Sequence, residues 1–121
     1  MKFSDLSARE QQFLAAWRKY GIPDSEPEWQ WQHEDLRSPS GRIYKWDFAW
    51  PSICVLIEIQ GVGRHNSIRG LADDAHKQRV ALAAGYVVIP ITSACMGSQA
   101  AREDVCAQVE TITQVMGQWR D

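Results

Sequence analysis

The segment Ile53-Cys54-Val55-Leu56-Ile57-Glu58-Ile59 limits what this chain can become more than any other stretch. A short apolar, β-branched run that follows Pro51-Ser52 and ends before Gly61 reads as a strand, and one this uniformly apolar belongs in the middle of a sheet. Tyr86 to Ile91 is a second run of the same kind, suited to pair with it. Helices then have to cover the sheet. From Ser4 to Tyr20, Leu6, Phe13 and Trp17 recur at helical spacing, and Gly21-Ile22-Pro23 supplies the stop. Leu71 to Ala84 is an alanine-rich helix with Leu71, Ala75 and Leu82 on one side and Gly85 as its cap. Ser98 caps a last helix whose stripe is Val105, Val109, Ile112 and Met116.

Two further strands precede the central one. Trp29 and Trp31 alternate with Gln30 and Gln32 in the period of a half-buried strand, and Ser38-Pro39-Ser40-Gly41 is a turn. Ile43 to Ala49 follows with Tyr44, Trp46 and Phe48 on one face. Gly61 to Gly70, with three glycines and no apolar period, reads as a loop. The predicted order is α-β-β-β-α-β-α, an α/β protein (α+β by strict counting) with a mixed sheet of about four strands flanked by helices.

Composition fits one domain over residues 1–121: 45% hydrophobic, 23% charged, net charge -2. No apolar run nears the roughly 18 residues needed to cross a bilayer, and Met1-Lys2-Phe3-Ser4-Asp5 turns polar at once, so the expectation is a cytoplasmic protein without a membrane partner. Cys54, Cys95 and Cys106 are odd in number and match no zinc spacing, which makes them free thiols. The slight acidity argues against coating nucleic acid non-specifically and leaves room for one basic face.

Chemistry shows where polar residues take core positions. Glu10 falls in the series Leu6, Glu10, Phe13, Trp17 and so points inward. The Trp50-Pro51-Ser52 turn folds the second strand back on the third, which sets Asp47 and Glu58 opposite each other within a residue or two. Two carboxylates at that distance repel, and a positive group must compensate. Lys45 would make this a structural ion pair; Mg²⁺ or Mn²⁺ would make it a hydrolytic site, with the Ile59 carbonyl as a further ligand and Gln60 orienting water or phosphate. Arg64, His65, Arg69, His76, Lys77 and Arg79 fall within sixteen residues against only Asp73 and Asp74, a patch able to neutralise phosphates. The structural account of the same patch is a solvated helix face, with Asp73 and Lys77 as an i, i+4 pair.

The stretch Lys45-Trp46-Asp47-Phe48-Ala49-Trp50-Pro51, then Val55-Leu56-Ile57-Glu58-Ile59-Gln60-Gly61, Gly63-Arg64-His65, Asp74, Lys77 and Gly85-Tyr86-Val87-Val88 resembles small phage and prophage endonucleases of the PD-(D/E)xK superfamily, in their very-short-patch-repair-like branch. The resemblance implies a restriction-endonuclease-like core with Asp47 and Glu58 as metal ligands and Glu10 completing the site. Gln60 stands where the superfamily motif usually has its lysine, which leaves that charge to Lys77 or Lys45; Trp46 takes the place of the motif proline. The reading is a Mg²⁺- or Mn²⁺-dependent DNA endonuclease. Asp47, Glu58 and Ile59 hold the metal, Glu10, Gln60 and Lys77 complete the catalytic group, and Arg64, His65, Arg69, Lys77 and Arg79 bind DNA. Its rivals are a junction resolvase acting as a homodimer, a DNA-binding module that no longer cuts, and a structural protein with a buried ion-pair network.

Overall fold

The computed structural model describes residues 1–60 and 67–120, with 119 and 120 as backbone only. Its elements are α1 (Ala8–Tyr20), β1 (Glu28–Arg37), β2 (Ile43–Trp50), β3 (Val55–Gln60), α2 (Ile68–Ala83), β4 (Val87–Thr92) and α3 (Gln99–Arg120), in the predicted order. The sheet runs β1-β2-β3-β4. The first two pairings are antiparallel and β3 with β4 is parallel, so the sheet is mixed and the apolar β3 lies inside it. A parallel pair needs a crossover, and α2 provides it. Residues of α1 and α3 form one core against the sheet, while α2 shares a second core with Leu36, Tyr44, Trp46, Ala49 and Leu56. The architecture is α+β in three layers.

Local chemistry sets the boundaries. The first helix starts at Ala8 rather than Ser4, because Phe3–Asp5 forms a separate 3-10 turn and Ser7 is a cap. The Ser7 hydroxyl accepts from the Glu10 amide at 3.2 Å, and Glu10 Oε1 accepts from the Ser7 amide at 2.8 Å. This is a reciprocal capping box. The helix α2 begins three residues inside the predicted loop, where the Ser67 hydroxyl accepts from the Gly70 amide at 2.9 Å; the rest of that loop, Gly61 to Asn66, lies outside the described residues. At its other end Tyr86 donates to the Ala81 carbonyl and Gly85 to that of Leu82, with Gly85 at φ +89°. That is a Schellman stop, which requires a left-handed residue.

The face of α2 is the reverse of the prediction. Ile68, Leu71 and Leu82 are 89%, 56% and 59% exposed, whereas Gly70 and Ala81 are buried and His76 and Lys77 are half-buried. The polar side turns inward because it finds partners there. His76 Nδ1 lies 2.7 Å from the Tyr44 hydroxyl, and Lys77 reaches Glu58 rather than Asp73.

On the other face α1 lies along β2. The Phe13 and Phe48 ring centroids are 5.3 Å apart and those of Trp17 and Trp50 5.1 Å. Both indoles donate to the Ser25 carbonyl, at 3.1 and 2.8 Å, so burial leaves neither N–H unpaired. The seven residues from Glu10 to Trp17 rise about 10 Å in a helix, close to the rise of the three residues from Asp47 to Trp50 in a strand. The step keeps Glu10 level with Asp47.

Side-chain alternation breaks at this point. Residues two apart on a strand share a face, yet Trp29 packs with α1 and α3 while Trp31 packs with the α2 core. Across the ladder, Phe48 and Trp50 join the first core, and Tyr44 and Trp46 the second. The predicted single aromatic face of β2 is therefore split between two cores. The switch falls between the rungs Trp29–Phe48 and Trp31–Trp46, at Gln30 and Asp47. Gln30 carries the irregularity, with φ +51° in the middle of a strand. A left-handed non-glycine residue there costs about 1–3 kcal/mol, so the surrounding contacts must impose it.

The hold on α1 is testable at Gly21. A Cβ there would fall 2.4 Å from the ring of Trp17, which is 2% exposed and has no room to retreat. Gly21→Ala is expected to cost roughly 1–3 kcal/mol in urea denaturation, through overpacking rather than backbone strain.

A candidate acidic site at the seam of the sheet

Asp47 occupies the place where the two faces exchange. The β2–β3 ladder pairs Trp50 with Val55, Ala49 with Leu56 and Phe48 with Ile57, and one more rung brings Asp47 level with Glu58. At that rung the Ile59 amide donates to Asp47 Oδ2 at 2.7 Å. A residue's N–H and C=O leave an extended strand on the same edge, so the Ile59 carbonyl also faces β2.

Glu10 arrives from α1 and Glu58 from β3. The Glu10 and Asp47 carboxyl groups are hydrogen-bonded to each other, and the Gln30 side-chain amide donates to Glu10 Oε2. Burial pushes the Asp47 carboxyl up to about 7, with the charges of Glu58 and Glu10 adding to the rise and the Ile59 N–H opposing it. Burial also works against a charge on Glu10, but hydrogen bonds from Ser7, Asp47 and Gln30 outweigh it and hold that carboxyl below its ordinary value. The two carboxyls titrate as a coupled pair in which the environment favours the proton on Asp47 over Glu10.

Lys77 closes the group from α2. Its Nζ lies 2.9 Å from Glu58 Oε1, donates to the Lys45 carbonyl at 2.7 Å and stands 4.5 Å from the centroid of the buried Trp46 ring. The sequence left the compensating charge to Lys77 or Lys45, and the geometry selects Lys77. Only the main chain of Lys45 takes part, and its side chain is exposed. Glu58, Lys77 and Arg69 line a cleft of about 960 Å³ between α2 and the β1–β2 hairpin, together with Arg42, Tyr44 and Asp73.

The remaining candidates divide. Gln60 is half-buried at the end of β3, opposite Thr92 and on the Glu58 face by strand period, but it does not line the cleft. Arg79 is exposed on α2 and does not line the cleft. Arg64 and His65 lie outside the described residues. Two site residues escaped the sequence reading. Ser7 was legible in the Ser7-x-x-Glu10 capping signature. Gln30 was not, since its role depends on a left-handed backbone that no residue type near it announces.

Oxygen donors in this arrangement suit Mg²⁺ or Mn²⁺ in kind. Among the described residues no group of three or more His, Cys, Asp or Glu side chains is placed to hold a metal ion. An ion here would therefore draw on one or two carboxylates, the Ile59 carbonyl and water, the set Mg²⁺ ordinarily accepts. Among the described residues no helix is long and apolar enough to cross a membrane. Comparison of the chain with protein-family models, with curated proteins and with solved structures finds no match.

This coupled pair gives a pH dependence of defined sign. Folding raises the Asp47 value, so its contribution to stability is complete below the ordinary aspartate range and is lost as pH rises through about 7. Glu10, held low, acts in the opposite sense and only in acid. Metal-free protein in a chelating buffer should gain Tm as pH falls from about 8 to about 5. Asp47→Asn, whose oxygen can accept from Ile59 while its amide donates to Glu10, should flatten that slope and stabilise the chain at about pH 8 by roughly 1–3 kcal/mol. A native Tm that falls steadily over the same interval would contradict the assignment.

Proposed function

We propose that the chain is a divalent-metal-dependent DNA endonuclease that hydrolyses phosphodiester bonds, on the restriction-endonuclease-like fold implied by the PD-(D/E)xK resemblance, and that it works in the cytoplasm of a host cell as a phage or prophage protein. The observation that carries this reading is the approach of Glu10 and Glu58 to the buried Asp47, with Lys77 on Glu58, where the side-chain alternation of β1 and β2 switches faces. Lys77 pairs with Glu58, while the charges of Glu58 and Glu10 both act on the buried Asp47, which is more acid than a single ion pair calls for.

Asp47, Glu58 and the Ile59 carbonyl would hold Mg²⁺ or Mn²⁺, which when bound supplies Lewis-acid polarisation of the phosphate and a more acidic water. The chain's own residues supply the rest. Lys77 Nζ, fixed by the Lys45 carbonyl and Glu58, faces the cleft where negative charge develops on the phosphate. Asp47 would serve as a ligand in its ionised form, its proton passing to solvent, and Glu10, held charged by Ser7 and Gln30, would accept a hydrogen bond from water. Gln60, on the Glu58 face, orients water or phosphate. Arg69, on the cleft wall, binds the DNA backbone, and Arg64 and His65 are assigned the same task.

The inactive-module reading arose from Gln60 in the lysine's place. The position of Lys77 against Glu58 weighs against it, because the missing charge enters from the helix instead of the strand. The homodimeric resolvase differs only in substrate, and the same experiment separates it.

Purified protein is incubated with linear duplex, single-stranded and four-way-junction DNA in Mg²⁺, Mn²⁺ or chelator. Cleavage is expected only with metal and is abolished by Asp47→Asn and Glu58→Gln. Lys77→Met should lower kcat by about 10²–10³ while leaving DNA affinity within a few fold. A strong preference for the junction, with a dimer in sedimentation, would move the reading to the resolvase. DNA binding that persists without cutting on every substrate would establish the inactive module and sink the nuclease.

A further inference from the structure

Gln30 is the residue of this site that no sequence pattern marks. It is the β1 residue level with Asp47, between the rungs Trp29–Phe48 and Trp31–Trp46. Its backbone is left-handed, at φ +51°, in the middle of a strand. Glycine, asparagine and aspartate take that conformation readily, and glutamine gains nothing from it locally. What the distortion achieves is visible in the side chains. It turns Trp31 to the α2 face while Trp29 stays on the α1 face, and it delivers the Gln30 amide to Glu10 Oε2.

Glu10 has two oxygens with two tasks. Oε1 is committed to the Ser7 amide in the capping box, at 2.8 Å. Oε2 is the atom turned to the seam, where Gln30 donates to it. Without that donor the carboxylate would keep Ser7 at Oε1 and only Asp47 itself at the seam, so nothing independent of Asp47 would fix its plane. A carboxylate held at both oxygens has a defined plane.

We propose that Gln30 is a positioning residue, which holds the Glu10 carboxylate in the plane that faces Asp47 and so sets the affinity of the acidic site for a divalent cation. It acts through Glu10 and touches neither metal nor DNA. The proposal rests on the metal-dependent reading above. Partners that orient the groups around a metal typically change its affinity by about 10–100-fold when removed.

The test reads binding rather than cleavage. Mn²⁺ is titrated calorimetrically into the native protein, Gln30→Gly, Gln30→Asn, Glu10→Gln and the Glu10→Gln/Gln30→Gly double variant, with the metal-free Tm of each. Glycine accepts φ +51° without strain, so Gln30→Gly keeps the crossover and removes only the amide; its Tm should stay within a few degrees of native. Its Mn²⁺ affinity should fall by about tenfold or more. Gln30→Asn keeps an amide one methylene short and should fall between the two, which preserves the test if the glycine variant folds poorly. The double variant should bind no more weakly than Glu10→Gln alone, since Gln30 has nothing left to position. Native affinity in Gln30→Gly, or losses that add in the double variant, would overturn the positioning role and leave the metal site standing. An absence of Mn²⁺ binding in the native protein would bring down the metal reading itself, and this proposal with it.

Discussion

The lengthwise fit of α1 on β2 is the constraint from which the rest of the molecule follows. A helix climbs about 1.5 Å per residue and a strand about 3.3 Å, so side chains on the two stay in step only if the helix uses roughly two residues for each one of the strand. Phe13 on Phe48 and Trp17 on Trp50 set that step with buried rings. Glu10 and Asp47 inherit it. Their encounter is a result of apolar packing two turns away, which explains how a fold can afford to bring acids together that repel.

The repulsion is then managed by three devices from three layers. The capping box and Gln30 keep charge on Glu10, the Ile59 amide faces Asp47, and Lys77 approaches Glu58 from the opposite side of the sheet. Lys77 answers only Glu58, and the other two devices supply hydrogen bonds rather than charge. The raised value at Asp47 reflects burial first and the neighbouring charges of Glu58 and Glu10 second. Stability alone would have placed an amide there, and an acid in that position is the kind of local cost that function tends to impose.

Much of this was legible in the sequence, and the illegible part has a common cause. The order of elements, the interior place of β3, the caps at Ser98 and Gly85, the inward Glu10 and the approach of Asp47 to Glu58 all follow from period and punctuation. The face of α2 and the faces of the aromatics did not. Period assumes that apolar residues turn inward and that strands alternate without fault. In α2 the side facing the sheet mixes the small Gly70 and Ala81 with His76 and Lys77, which find Tyr44 and Glu58 there, and in β1 and β2 the alternation skips at Gln30 and Asp47. Both failures lie at the acidic group or beside it. The choice between Lys77 and Lys45 needed the same missing knowledge, since a helix's phase about its axis decides which of its charges meets the sheet.

Glu10 and Lys77 enter from opposite layers, and this bears on how the chain assembles. The elements α1, β1, β2 and β3 follow one another in sequence, whereas Lys77 belongs to the later crossover helix. Any partly folded state that has formed the β2–β3 hairpin under α1 already holds the three acids together without the charge of Lys77. Such a state would carry the repulsion of the acids without the charge that answers Glu58 in the complete fold. The acidic group thereby ties α2 to the sheet through the charge of Glu58 as well as through the helix's small buried face at Gly70 and Ala81.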